Sequence, residues 1–270
     1  MTLRLYFRRH FKAATSVPPL EHVRVAPAGE CALRADFFQL TFGTEPFDFM
    51  SDFMSNVIAI DGPAASGKST IAGMIAKRLN IAYISTGSLY RAVALACLRA
   101  GRSLENVPRS FLETLKLEYR PGADDQYELM LNGEFPGAAL RGLEVAAGAS
   151  KVAAQPEVRA YLLDVQRSFA NKNLIVMEGR DIGTVIFPDA KYKFFITATP
   201  EERARRRLSQ EGERYDAEAL AEVAKAIAER DEQDANRPIA PLKPAADAVI
   251  IDNTGLTLEE SMLAVLEHIE

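Results

Sequence analysis

The sequence predicts an α/β fold in which helices wrap a parallel sheet, and three observations predict it. Short apolar runs recur at Val57 to Ile60, Leu174 to Met177, Tyr192 to Ile196 and Ala248 to Ile251, the pattern of strands covered on both faces. Two of these runs lead into charged stretches with helical spacing, so strand and helix alternate along the chain. The first run ends in a glycine-rich turn, beyond which Ile71, Met74, Ile75 and Leu79 fall on one face of a helix.

The remaining segments divide the chain. Residues 1–53 carry scattered aromatics, Pro18-Pro19 and no sustained period, and read as an irregular extension. Two readings of it stay open: an over-extended translation start, with Met54 the natural one, or a targeting peptide, because Arg4, Arg8, Arg9 and Lys12 precede the first acidic residue, Glu21. The core is expected over 54–101 and 172–270. Between these parts, Leu115 to Tyr119 and Tyr127 to Leu131 alternate like antiparallel strands, and Asn132-Gly133 is a hairpin signal. We read 102–171 as a small inserted domain.

Composition narrows the function classes. The chain has 270 residues, 48% of them hydrophobic and 26% charged, with no apolar run near the roughly 18 residues that would suggest a membrane span. A formal net charge of −5 argues against bulk affinity for nucleic acid, which needs a broad basic face. Neither a nucleic-acid nor a membrane partner is expected. Of the two cysteines, Cys97 lies in the apolar stretch Ala92 to Leu98 and reads as a small buried hydrophobe, which fits a reducing, cytoplasmic home.

The turn itself carries chemistry. Gly62-Pro63-Ala64-Ala65-Ser66-Gly67-Lys68-Ser69 matches G-x-x-x-x-G-K-[ST] and stands between a strand and a helix, where that pattern works. Backbone N–H groups and the helix N-terminus cradle phosphate, Lys68 reaches the outer phosphates, and Ser69 is placed to ligate Mg²⁺. A bound nucleoside triphosphate follows. A GTPase would need N-K-x-D after a strand, whereas Asn171-Lys172-Asn173-Leu174 lacks the aspartate and precedes one. A motor ATPase would want paired acids ending a strand, which Glu178-Gly179-Arg180-Asp181 does not supply. A small-molecule kinase leads, ahead of a non-catalytic nucleotide-binding module. Its acceptor is expected to be anionic, because Arg91, Arg159, Arg180, Arg205 to Arg207, Arg230 and Arg237 lie on different predicted elements, and a nucleoside monophosphate needs several guanidinium groups beside the γ-phosphate.

Ile60-Asp61-Gly62 through Thr70, Ser85-Thr86-Gly87-Ser88-Leu89-Tyr90-Arg91, Glu178 through Ala190, Pro200 through Arg207, Glu229 through Arg237, and Ala240-Pro241-Leu242 together resemble the bacterial cytidylate kinase family, over essentially Val57 to Glu270. The resemblance implies a three-layer P-loop kinase fold with a mobile lid at about 203–220 and a nucleoside-monophosphate-binding insert. It implies transfer of the γ-phosphoryl group of ATP, with Mg²⁺, to CMP and dCMP by a cytoplasmic, monomeric enzyme. Residues 62–70, Thr70 included, would hold ATP. Thr86, Arg91, Arg180 and Arg237 would hold the acceptor phosphate; Ser150, Arg159 and Asp181 would read cytosine; Arg230 and Asp234 would touch the ribose. Arg203 would stack on adenine, while Lys68, Arg180 and Arg206 or Arg207 would meet the transferring group. Cytosine's N4 amino group beside acceptors at N3 and O2 suits a carboxylate paired with an arginine. From their positions at strand ends, Asp61 and Glu178 are expected to orient Mg²⁺-bound water.

Overall fold

A computed structural model describes residues 56–122, 127–170, 174–211 and 216–269. The extension over 1–53, and the lid tip expected within Gln210 to Asp216 save its flanks, lie outside the described residues. A five-stranded parallel sheet in the order β2-β5-β1-β6-β7 forms the centre. Its strands are β1 (Val57–Asp61), β2 (Ala82–Ser85), β5 (Ile175–Gly179), β6 (Tyr192–Thr197) and β7 (Val249–Asp252). The four expected strands form, and β2 joins them at an edge, where four residues, three of them half-buried, gave too short a run to stand out. Alternation along β1 makes two faces: Ile58 and Ile60 pack with Ile71 and Ile75, whereas Val57 and Ala59 pack with Ile182, Ile186 and Phe187. Helices α1 (Lys68–Leu79) and α8 (Leu258–Leu266) cover the first face.

The insert has its own packing. Helix α2 (Thr86–Arg99) buries Leu89, Val93 and Cys97 against residues of α4 (Leu143–Ala153), α5 (Pro156–Ser168) and the antiparallel pair β3 (Leu117–Pro121) and β4 (Tyr127–Leu131). A one-turn helix, α3 (Arg109–Leu112), adds Leu112 to that cluster. That apolar cluster reaches back to Leu89, ahead of residue 102, from which the alternating runs and the hairpin signal lead us to expect an insert. Asn132-Gly133 does make a two-residue turn, both residues having positive φ (53° and 88°), closed by Leu131 and Glu134. It does not join β3 to β4. Pro136, two residues on, has no N–H to extend a return strand.

Helix ends show where ligands are expected. Thr257 and Glu260 form a capping box on α8, and Asp216 accepts from Ala219 at the start of α7 (Ala217–Asn236). By contrast α1 and α2 have neither a side-chain cap nor an acidic residue in the first turn. Both follow the carboxyl ends of parallel strands, β1 and β2, which flank β5, so their bare N–H groups open on the edge of the sheet where α/β folds bind ligands. No helix among the described residues is long and apolar enough to cross a membrane.

Gly62 fixes how closely the first loop hugs the sheet. A Cβ there would lie 2.1 Å from the Ile196 carbonyl oxygen of β6, so any side chain pushes the loop off the strand. Gly62→Ala is expected to lower the thermal midpoint by the equivalent of about 1–3 kcal/mol and to abolish triphosphate binding; calorimetry with and without nucleotide checks both.

Candidate nucleotide-binding and phosphoryl-transfer site

The loop 62–69 wraps the N-terminus of α1 with Gly67 in the left-handed region at φ 85°. Lys68 is buried beneath it, and its ammonium donates to the Pro63 carbonyl at 3.0 Å. Burial, and after it the positive charge of Arg180, push Lys68 down to about 7 against the pull of Glu178. Ser69 and Thr70 are exposed at the mouth of the loop. Glu178, at the end of β5, is buried and accepts from Ser85 Oγ at 2.6 Å and from the Tyr83 phenol at 3.4 Å. The Ser69 hydroxyl sits beside that same phenol.

Asp61, expected to orient metal-bound water, is engaged otherwise. Its two oxygens accept from the Ile182 and Gly183 amides at 2.8 Å each, pinning the single π-helical turn Ile182–Ile186 (its strand-end residues Arg180 and Asp181 just before it) to β1. Burial raises its carboxyl to about 7 despite those two amides. Thr86 donates to the Glu178 carbonyl at 3.0 Å, a contact that the absent side chain of Gly179 allows, since a Cβ there would lie 2.6 Å from Thr86 Oγ1.

Several of the basic residues lie near one another, whereas Arg205 is exposed and pairs with Glu202 of its own helix. Arg180 donates to Asp234 at 2.8 Å, and Arg237 stands 3.9 Å from Asp234 and donates to Asp181 at 3.3 Å. Asp181 also pairs with Arg159 from α5, and both groups are buried. Arg230 is depressed by its burial and then by the positive charges of Arg180, Arg91 and Arg207, with Asp234 opposing. Those four guanidinium groups therefore share one electrostatic neighbourhood. Burial likewise lowers Arg237, and Asp181 opposes it. Beside Arg159 and Asp181 lies a pocket of ≈ 190 Å³ whose walls include Tyr90, Leu163 and Ile239. Ser150 is exposed on α4, one turn before Ala153, whose carbonyl accepts from Arg159 at 3.5 Å.

Two arginines of α6 (Pro200–Glu211) take places that the sequence reading did not give them. Arg203 is buried, donates to the carbonyls of Ala198 (2.9 Å) and Ala64 (3.0 Å), and pairs with Asp231 of α7. Asp231 in turn accepts from the Ala64 amide at 3.1 Å. This pair holds Ala64 by both its N–H and its carbonyl, so Arg203 braces the loop instead of offering a face to a base. Arg206 donates to Asn253 Oδ1 (2.9 Å) and the Asn253 carbonyl (2.7 Å), to Ser66 O (3.3 Å) and to Glu202 (3.1 Å). Asn253, fully buried, also donates to Ser66 O at 3.0 Å. Sequence reasoning missed Asp231 and Asn253. Asn253 follows the apolar run of β7 and so stands at the same sheet edge as Asp61 and Glu178, a signal that was present but unused. Tyr119 of β3, also missed, exchanges hydrogen bonds with the Ser85 backbone (2.9 and 3.2 Å) and ties the insert to the start of α2.

Comparison with known proteins agrees with this architecture. The family model described as cytidylate kinase matches residues 58–270. The cytidylate kinase of Marinomonas sp. (strain MWYL1) is 46% identical over 206 residues, 76% of this chain and 91% of that one. That of Clostridioides difficile (strain 630) is 44% identical over 216 residues, 79% and 97% of the two chains. That of Pseudomonas paraeruginosa (strain DSM 24068 / PA7) is 43% identical over 220 residues, 79% and 95%.

Two outcomes are expected of this geometry. A lysine titrating near 7 rises once a polyanion faces it, so triphosphate binding at pH 8 takes up close to one proton, roughly 0.9 by linkage. Calorimetric titration in buffers of different ionisation enthalpy measures it, and Lys68→Met loses it. Arg203→Ala leaves Asp231 without its cation and is expected to destabilise the ligand-free protein by about 3 kcal/mol, read in urea unfolding; a residue that only stacked on a base would leave that value unchanged.

Proposed function

The chain belongs to the cytidylate kinase family, and on that premise we propose a residue-level assignment of phosphoryl transfer from ATP to CMP and dCMP. The enzyme is an ATP-dependent nucleoside monophosphate kinase. The observation that carries the assignment is the run of alternating charge Arg180–Asp234–Arg237–Asp181–Arg159, which leads from the phosphate loop's neighbourhood to the pocket beside Arg159.

In this reading residues 62–70 hold the ATP phosphates on the bare N-terminus of α1, with Lys68 as the buried cation. The acceptor's phosphate lies on Thr86, at the equally bare start of α2, and on Arg91, Arg180 and Arg237. Arg230 and Asp234 meet the ribose, and Ser150, Arg159 and Asp181 read the base, Ser150 by turning in from its exposed place on α4. Lys68, Arg180 and Arg207 neutralise charge on the transferring group, Arg206 joins them if it leaves Asn253, and Arg203 serves ATP by holding the Ala64 peptide. The hydroxyl of Ser69 with the carboxylate of Glu178 nearby makes an all-oxygen donor set that suits Mg²⁺; bound there with ATP, the ion would screen the β and γ phosphates.

No protein base is needed. The acceptor oxygen belongs to a phosphate that is already ionised near neutral pH, so alignment and charge stabilisation carry the reaction. The reading places the enzyme in the cytoplasm as a monomer that acts on free nucleotides, without nucleic-acid or membrane partners; a buried, unbridged Cys97 is in keeping with a reducing compartment.

Coupled release of ADP with ATP and Mg²⁺ is expected to show CMP ahead of UMP and AMP as acceptor, with dCMP accepted. Turnover no greater than with ATP alone would defeat the kinase reading. Asp181→Asn is expected to cut the ratio of kcat/KM for CMP over UMP by about 10- to 100-fold, because one carboxylate oxygen becomes an N–H donor, which suits the uracil carbonyl rather than the cytosine amino group.

A further inference from the structure

The pocket beside Arg159 and Asp181 contains a polar atom that the residue assignment above does not use. Gln166 lines it, is 1% exposed, and its Oε1 has no hydrogen-bond partner among the described residues. A buried carbonyl without a donor is disfavoured in folded proteins, and such atoms commonly mark a ligand's place. Gln166 stands seven residues after Arg159 on α5, two helical turns along the same face, with Leu163 between them. Guanidinium, alkyl chain and amide thus form one stripe down the pocket wall, about 10 Å long at the backbone. The Tyr90 hydroxyl has both Asp181 and Gln166 around it, so the two acceptors face one part of the pocket.

Asp181 leaves that acceptor a distinct task. Each of its oxygens already accepts from a guanidinium, one from Arg159 and the other from Arg237. An exocyclic amino group carries two N–H bonds, and a carboxylate so engaged is suited to take one of them. We infer that Gln166 is a specificity-determining residue of the acceptor pocket, its carbonyl accepting the second N–H of the amino group on a pyrimidine such as cytosine. Uracil presents a carbonyl oxygen at that position, acceptor against acceptor.

Glutamine discriminates only if its amide cannot turn over to offer N–H instead. Tyr90 supplies the restraint. Its hydroxyl sits beside the amide of Gln166, and its ring lies under the Arg159 guanidinium, 5.9 Å from centroid to Cζ. Tyr90 therefore stands near both Arg159 and Gln166, and with its hydroxyl accepting from the Gln166 N–H the carbonyl is left for the pocket.

This inference rests on the cytidylate kinase reading, and one set of assays separates the two. The ratio of kcat/KM for CMP over UMP is measured in the unaltered chain, in Gln166→Met, which keeps the length and removes the amide, and in Tyr90→Phe, which releases it. Gln166→Met is expected to lower the ratio tenfold or more through a loss on CMP, with KM for ATP unchanged. Tyr90→Phe is expected to narrow it through a gain on UMP, and it decides the matter if Gln166→Met does not fold. An unaltered chain without preference for CMP overturns the function and the inference together. A native preference that survives in the folded variants overturns the role of Gln166 alone.

Discussion

Like charges have to be held together at this site, and the rest of the structure is arranged around doing so. Arg159, Arg180 and Arg237 are joined through Asp181 and Asp234 in one chain of alternating sign. The two aspartates offset the mutual repulsion of the guanidinium groups and leave a positive surplus for an incoming phosphate. The members of this chain come from the end of β5, from the end of α7 and from α5, so the same contacts that tune the field also tie the sheet to those two helices. Burial strengthens each interaction and raises the cost of removing any one partner.

The phosphate loop depends on a second set of braces. Gly62 lets it lie against β6, Asp231 and Arg203 grip the Ala64 peptide, and Asn253 and Arg206 grip the Ser66 carbonyl. A loop that must present N–H groups to phosphate cannot bond them within itself, so its carbonyls are fixed from behind. Fixing the donors before the ligand arrives lowers the reorganisation needed during transfer, which is where electrostatic catalysis gains most. Because α6 and α7 supply three of these braces, Arg203, Arg206 and Asp231, the position of those helices is coupled to the shape of the loop.

Sequence alone determined the parts whose signal is local. The strand, loop and helix around 57–79, the apolar runs of β5, β6 and β7, and the match to one kinase family follow from residues adjacent in the chain, since periodicity and the phosphate-loop pattern act within one or two elements. The arginines proposed for the acceptor side were legible as candidates, because a dianion requires several guanidinium groups whatever the fold. Tertiary structure decided the rest. Whether Arg203 stacks on a base or braces a peptide depends on Asp231, 28 residues away, and on Ala64, 139 away. Asp61 is claimed by amides 121 and 122 residues on, and Asn253 acts on a carbonyl 187 residues before it. A side chain's chemistry is fixed by its type, but its task is fixed by which donors and acceptors are within about 3 Å, and that is set only when distant segments pack.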